Sequence, residues 1–184
     1  MKKTVVLTVV MIMAMTGFAW AGTDAGYKEI GINASYSRIT NSEDSAESNS
    51  ISAGLTFNYF FSAYFSVGGS YRITGNQNKP DDGETTESTT QYVSLRTDLL
   101  AGGPTKTLIP YIGVHGGNSS YKSENTDYSS FAYGAHGGLK MFPSERVSVN
   151  LELDYTTTKP DTDYYPDDYE VNALGLFVGA SFYF

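Results

Sequence analysis

The chain has 184 residues, no cysteine, two histidines, and 20 acidic against 12 basic side chains for a net charge of −8. This excludes disulfides, thiolate metal sites, a cysteine nucleophile, a lipoprotein anchor and a dense imidazole metal cluster. The acid excess also argues against nucleic acid as a partner, because binding it needs a basic footprint. With 15 Tyr, 10 Phe and 19 Gly, and 17% charged residues against a usual ~25%, the composition points to a single all-β domain.

Lys2 and Lys3 open a positive stretch, residues 4–15 are apolar, Gly17 breaks the run, and Ala19-Trp20-Ala21 follows. This predicts a secretory signal peptide over 1–21, with Ala19 and Ala21 as the small residues of the cleavage site. Its apolar core is too short to span a bilayer as a helix, which takes ~20 residues. Cleavage leaves a domain over 22–184, 163 residues long, with a net charge of −10 once Lys2 and Lys3 are gone.

From there on, the sequence alternates with a period of two. Ile30, Ile32, Ala34 and Tyr36 share one face, then Ile51, Ala53, Leu55, Phe57 and Tyr59, then Phe65, Val67, Tyr71 and Ile73. Val93, Leu95 and Leu99 make a fourth such face, and Leu108, Pro110, Ile112 and Val114 a fifth. Phe131, Tyr133, Ala135, Leu139 and Met141 form the sixth. The seventh is Val147, Val149, Leu151, Leu153 and Tyr155, and the eighth Leu174, Leu176, Val178, Ala180, Phe182 and Phe184. The opposite parity is mostly small or polar. Eight strands of ~10–13 residues are predicted.

Connections alternate strictly in length. Short ones fall near 60–63, 102–106 and 142–145, and long ones near 40–50, 75–88, 118–128 and 156–168. All long loops therefore leave one end of an eight-stranded antiparallel up-and-down β-barrel. A soluble secreted ligand-binding barrel would hide the apolar face inside, whereas a transmembrane barrel turns it to lipid. The Gly- and Ser-rich polar face suits a narrow interior filled by side chains. Aromatic residues gather at both ends of the apolar face, with Tyr59, Phe65, Phe142, Phe182 and Phe184 at one and Tyr36, Tyr71, Phe131 and Tyr155 at the other. Such girdles are expected where rings meet the two membrane interfaces, so the transmembrane form is preferred.

The last six residues, Gly179-Ala180-Ser181-Phe182-Tyr183-Phe184, resemble the C-terminal signal of bacterial outer-membrane proteins. Phe177 departs from the polar residue that this pattern often has two places before the Gly. Pro110-Tyr111-Ile112-Gly113-Val114 is similar to the fifth strand of the OmpA/OmpX-like eight-stranded barrels, and 138–143 running into 147–152 resembles the hairpin that follows it. The resemblance implies export to the bacterial outer membrane, outer-membrane lipid as surroundings, and insertion by the barrel-assembly machinery through Gly179, Phe182 and Phe184.

Inward-facing ionisable residues would be Glu29, Arg72, Arg96, Asp98, His115, His136, Lys140, Glu152 and Asp154. A symmetric turn about Ser144 puts His136 opposite Glu152, with Lys140 one diagonal step away. Arg72, Arg96, His115, His136, Lys140 and Glu152 are thus expected to form a lumen network, because charges held from water must be paired. A His–Glu pair could serve a lipid-modifying enzyme, but both His face the lumen and no His-x-Ser spacing occurs. No catalytic residue, no metal ligand and no cofactor is assigned.

The four long loops carry fourteen carboxylates against Lys79, Lys122 and Lys159, a net −11. Such a surface repels lipopolysaccharide phosphates unless divalent cations intervene, and attracts cations or basic partners. Asp161-Thr162-Asp163 and Asp81-Asp82-Gly83-Glu84 lack the spacing of a Ca²⁺ loop. Tyr164, Tyr165 and Tyr169 suit either a recognition surface or docking at the membrane interface. The expected role is structural or surface-interacting, adhesin-like, with an extracellular or host partner held by the loops. A narrow channel for small solutes or ions is the alternative.

Overall fold

The computed structural model describes residues 23–40, 47–79, 85–102, 107–124, 127–160 and 170–184. The predicted signal segment, with Ala19 and Ala21, lies outside them. Alternating β-branched and aromatic side chains favour pleated backbone, and eight strands result: β1 (Lys28–Thr40), β2 (Glu47–Ser62), β3 (Phe65–Lys79), β4 (Thr86–Leu100), β5 (Leu108–Ser123), β6 (Asp127–Ser144), β7 (Val147–Pro160) and β8 (Val171–Tyr183). They close in sequence order into one antiparallel barrel, β8 pairing with β1. No helix of the described residues is long and apolar enough to cross a membrane, which says nothing against crossing by strands.

Orientation is settled by exposure. Leu55, Leu95 and Leu151 are 55%, 74% and 38% exposed on the outer wall, whereas Asp98, Glu29 and Lys140 are at most 2% exposed within. Soluble proteins leave few contiguous apolar surfaces of this kind. Here the belt runs round the whole barrel, and the closed ladder leaves few backbone polar groups to meet hydrocarbon.

Two features differ from the expectation. The strands are 13–18 residues long, more than the ~9–11 that a tilted strand needs to cross. The surplus lies at the long-loop end, where hairpins run on past the aromatic girdle: β1–β2 pair out to Thr40↔Glu47, β3–β4 to Asn78↔Thr86 and β5–β6 to Lys122↔Asp127. These extensions are rich in Thr, Ser, Asn and Gln, which carry no apolar alternation yet keep a ladder paired in water. Side-chain bonds such as Ser48 Oγ to Asn78 Oδ1 at 2.7 Å add to it. Much of what the sequence suggested as loop is therefore projecting sheet.

Phe142 is the second difference. Placed on the outer girdle by its position at the short-turn end, it is fully buried inside. It shares the parity of His136 and Lys140, so plain alternation carries it inward just before the β6–β7 register shifts between Met141↔Val149 and Ser144↔Val147. There it joins Phe60, Leu100, Ile109, Tyr111 and Tyr183, an apolar cluster that fills the short-turn end of the lumen.

The closing seam is shorter than the others. β1 and β8 pair from Glu29↔Tyr183 to Ala34↔Val178, prolonged by reciprocal Lys28–Phe184 backbone bonds. Residues 35–40 of β1 pair only with β2, and 171–177 of β8 pair at most with β7.

Candidate functional site

The lumen holds three layers. The apolar cluster closes the short-turn end. A charged layer lies above it, and an open cup of about 640 Å³ occupies the long-loop end. The charged layer is densely paired, with Asn58 Oδ1 and Glu152 Oε1 left without a hydrogen-bond partner. Lys140 Nζ binds Glu29 Oε1 at 2.6 Å, and Asn58 donates to Glu29 at 3.1 Å and to Asp98 at 3.3 Å. Arg96 donates through Nε and Nη2 to Asp98 Oδ1 (3.2 and 3.1 Å) and through Nη2 to Glu152 Oε2 (2.8 Å). Tyr111 donates to the same Glu152 oxygen at 2.9 Å. A cavity of about 20 Å³ lined by Asn58, Arg96 and Glu152 remains among these groups, room for a water molecule and no more.

All six residues expected to form the network face inward, and the structure divides them. Arg96, Lys140 and Glu152 belong to the charged layer. Arg72 stands higher, donating to Asp154 at 3.2 and 3.4 Å while its guanidinium lies 4.1 Å from the Phe177 ring centroid. That contact gives Phe177 a place: the family-like pattern favours a polar residue there, and this chain covers an arginine with an aromatic face instead.

His115 and His136 join the layers. Each sits over a glycine of the neighbouring strand, His115 registered to Gly134 and His136 to Gly113. A Cβ on Gly134 would lie 2.6 Å from His115 Nε2, and one on Gly113 would strike His136. The two glycines thus leave room for two imidazoles at adjacent positions in a narrow barrel.

The expected pairing of His136 with Glu152 is not formed. His136 registers with Asp154, and Glu152 with Gly138, because the turn is centred on Glu145–Arg146 and a one-residue irregularity adjoins it, which together set the ladder two residues away from a symmetric turn about Ser144. Parity survives, so every residue keeps its face while the partners change. As a consequence His115, His136 and Asp154 converge, with one ligand-type atom from each within 4.8 Å of the others. The sequence offered only two His, and the symmetric turn sent one of them to the wrong carboxylate, so this mixed set was missed. The inward-facing apolar cluster was missed too. Its signal was present: Phe60, Leu100, Ile109 and Tyr183 all lie on the polar parity at strand ends.

Gly179, Phe182 and Phe184 all fall at the C-terminal strand end. Gly179 lies against Ile32 and Asn33 of β1, and the Phe182 and Phe184 rings stack on the outer wall 6.2 Å apart. Tyr59, Tyr36, Tyr71, Phe131 and Tyr155 are exposed on the outer wall, as expected of girdle residues. The acidic pairs Asp81–Asp82 and Asp161–Asp163, and Tyr164, Tyr165 and Tyr169, lie outside the described residues.

Solved structures share this architecture. Neisserial surface protein A matches with a TM-score of 0.58 at 14% identity, over 85% of this chain and 98% of that one. OprG from Pseudomonas aeruginosa matches with 0.57 at 16% identity, over 89% and 98%. Ail, the attachment invasion locus protein of Yersinia pestis, matches with 0.51 at 17% identity, over 87% and 99%. Ail has also been solved with the heparin analogue sucrose octasulfate. No curated protein matches the chain significantly. At these identities the structures establish the fold alone. The family model for the outer membrane protein beta-barrel domain matches residues 5–182, and with the inverted, apolar-out barrel this places the chain in that family of outer-membrane proteins.

Proposed function

We propose that this barrel is a non-enzymatic membrane anchor for a surface-interaction device, its projecting acidic hairpins engaging cationic partners outside the cell. The carrying observation is the filled lumen. Paired charges and the apolar cluster occupy its lower two layers, so the molecule's chemistry toward solvent is concentrated at the long-loop end. A net −11 there favours basic protein segments, or lipopolysaccharide bridged by divalent cations, over polyanions. This partner class is opposite in charge to the sucrose octasulfate of the Ail complex. Export by a cleaved signal peptide and insertion by the barrel-assembly machinery through the Gly179–Phe184 segment are part of the same proposal.

The test is binding of the detergent-solubilised barrel to immobilised cationic peptides and to host-cell surfaces. Replacing the hairpin carboxylates by amides is expected to abolish it while heat-modifiable gel migration is retained. Binding that survives neutralisation would refute the proposal, as would steady single-channel conductance in planar bilayers.

A second reading is favoured by the cup. Arg72, Tyr92, Asp154 and Phe177 line it, and Leu174 and Leu176 add to its wall where the β1–β8 ladder has stopped. A small amphiphile could place its polar end on Arg72 and its tail toward that seam. Displacement of a fluorescent fatty-acid probe, lost in Arg72→Ala, would separate this reading from the first.

A further inference from the structure

We infer that His115, His136 and Asp154 form a binding site for one divalent transition-metal ion of the Zn²⁺ type, joining β5, β6 and β7 at the floor of the cup. Proton accounting is the first support. The Thr156 hydroxyl donates its proton to Asp154 Oδ1 at 2.7 Å, so toward His115 Nε2, 3.2 Å away, it offers a lone pair. His115 Nε2 must then carry the hydrogen. His136 Nε2 lies 2.7 Å from Asp98 Oδ1, and that carboxylate, already paired with Arg96, accepts only. His136 Nε2 must therefore carry a hydrogen as well. A neutral imidazole has one N–H. Both Nδ1 atoms are thus bare, yet they face each other at 3.3 Å, with Asp154 Oδ2 3.6 Å from His115 Nδ1. Three acceptors converge; neither Nδ1 carries a hydrogen, and Asp154 Oδ2 receives the 3.4 Å bond from Arg72 Nη2.

The spacing fits a metal. Two Zn–N bonds of ~2.0–2.1 Å at a tetrahedral angle set the nitrogens ~3.3–3.4 Å apart, and the Nδ1 atoms are 3.3 Å apart. The three ligand atoms all lie within 4.8 Å of one another. The outer partners also fit. A metal-bound His characteristically gives its other N–H to a carboxylate or similar acceptor, as His136 does to Asp98 and His115 to Thr156. Charge agrees: Glu29, Asp98, Glu152 and Asp154 outnumber Arg72, Arg96 and Lys140, so with neutral histidines the described lumen carries −1. An excess proton on His115 Nδ1 would hydrogen-bond across the 3.3 Å Nδ1–Nδ1 edge and reach Asp154 Oδ2 only at 3.6 Å, whereas a metal serves all three atoms. Asp154 and Thr156 line the cup, which gives an ion a route from the long-loop side. Arg72 shares Asp154, so affinity should be moderate, below that of a closed structural zinc site.

The test uses the whole folded barrel in detergent, stripped with chelator and titrated with Zn²⁺ by calorimetry and with Co²⁺ by visible absorption. One ion per chain and tetrahedral Co²⁺ bands are expected. His115→Gln and His136→Gln should each weaken binding roughly 100-fold or more, while Asp81→Asn/Asp82→Asn/Glu84→Gln in the hairpin should not change it. Zn²⁺ should also shift both Nδ1 resonances of ¹⁵N-histidine-labelled wild-type protein, a readout that needs no variant. Absent binding, binding that survives both His substitutions, binding lost with the hairpin acids, or unmoved Nδ1 resonances would each overturn the inference.

Discussion

Arg96 of β4 reaches across the barrel to Glu152 of β7, Nη2 to Oε2 at 2.8 Å, and both side chains are buried. Strands on different sides of the cylinder are thereby tied through its centre, and the backbone ladder alone makes no such tie. Removing one partner of a buried pair leaves a charge without compensation. Glu152→Ala is expected to cost about 3 kcal/mol, the low end for such a break because Asp98 still binds Arg96. Urea-dependent unfolding in detergent micelles measures it. Planar-bilayer recordings of the same variant should remain silent, since the apolar cluster below is intact.

Lys140 and Glu29 form the second cross-lumen pair at 2.6 Å, and both are almost wholly buried. Lys140→Met alone should destabilise by about 3–5 kcal/mol, by stranding Glu29. Lys140→Met combined with Glu29→Gln should recover much of that loss, because no ionised group is then left unpaired. A double-mutant cycle yielding an interaction energy below about 0.5 kcal/mol would show that the pair is not coupled.

Gly134 carries His115 and lies close against the backbone oxygen of Tyr155, whereas Gly75 has open space where a Cβ would be. Gly134→Ala is expected to destabilise by about 1–3 kcal/mol or to block folding. Gly75→Ala should be neutral or slightly stabilising, since it only narrows the freedom of the unfolded chain. Heat-modifiability midpoints of the two variants provide the comparison.

Phe184 projects from the outer wall at 49% exposure, while its backbone exchanges hydrogen bonds with Lys28 at 2.9 and 3.0 Å. Phe184→Ala keeps those bonds. Its refolding stability in detergent should therefore fall by less than about 1 kcal/mol, as for other exposed substitutions. If the C-terminal segment is the assembly signal, the amount of folded barrel in the cell's outer membrane should drop far more steeply. Equal losses in both assays would make Phe184 a packing residue only.

Which residues face lipid and which face the lumen could be read directly from the alternation, because a strand offers two faces and a period of two assigns each residue to one. Strand number, order and the end bearing the long hairpins followed from the same pattern and the spacing of connections. Leu55, Leu95 and Leu151 stand outside and Arg96, Lys140 and Glu152 inside on that ground alone.

Which inward residue meets which was decided by the tertiary structure. The turn at Glu145–Arg146 and the one-residue irregularity between Met141 and Ser144 together set β7 two residues away from a symmetric turn about Ser144, keeping parity while exchanging Glu152 for Asp154 opposite His136. Alternation is blind to shifts by an even number of residues, since they leave every side chain on its own face. The ion pairs that cross the barrel, the Arg72–Phe177 contact and the meeting of His115, His136 and Asp154 depend on such shifts and on closure of the cylinder. Only the folded ladder fixes those two quantities.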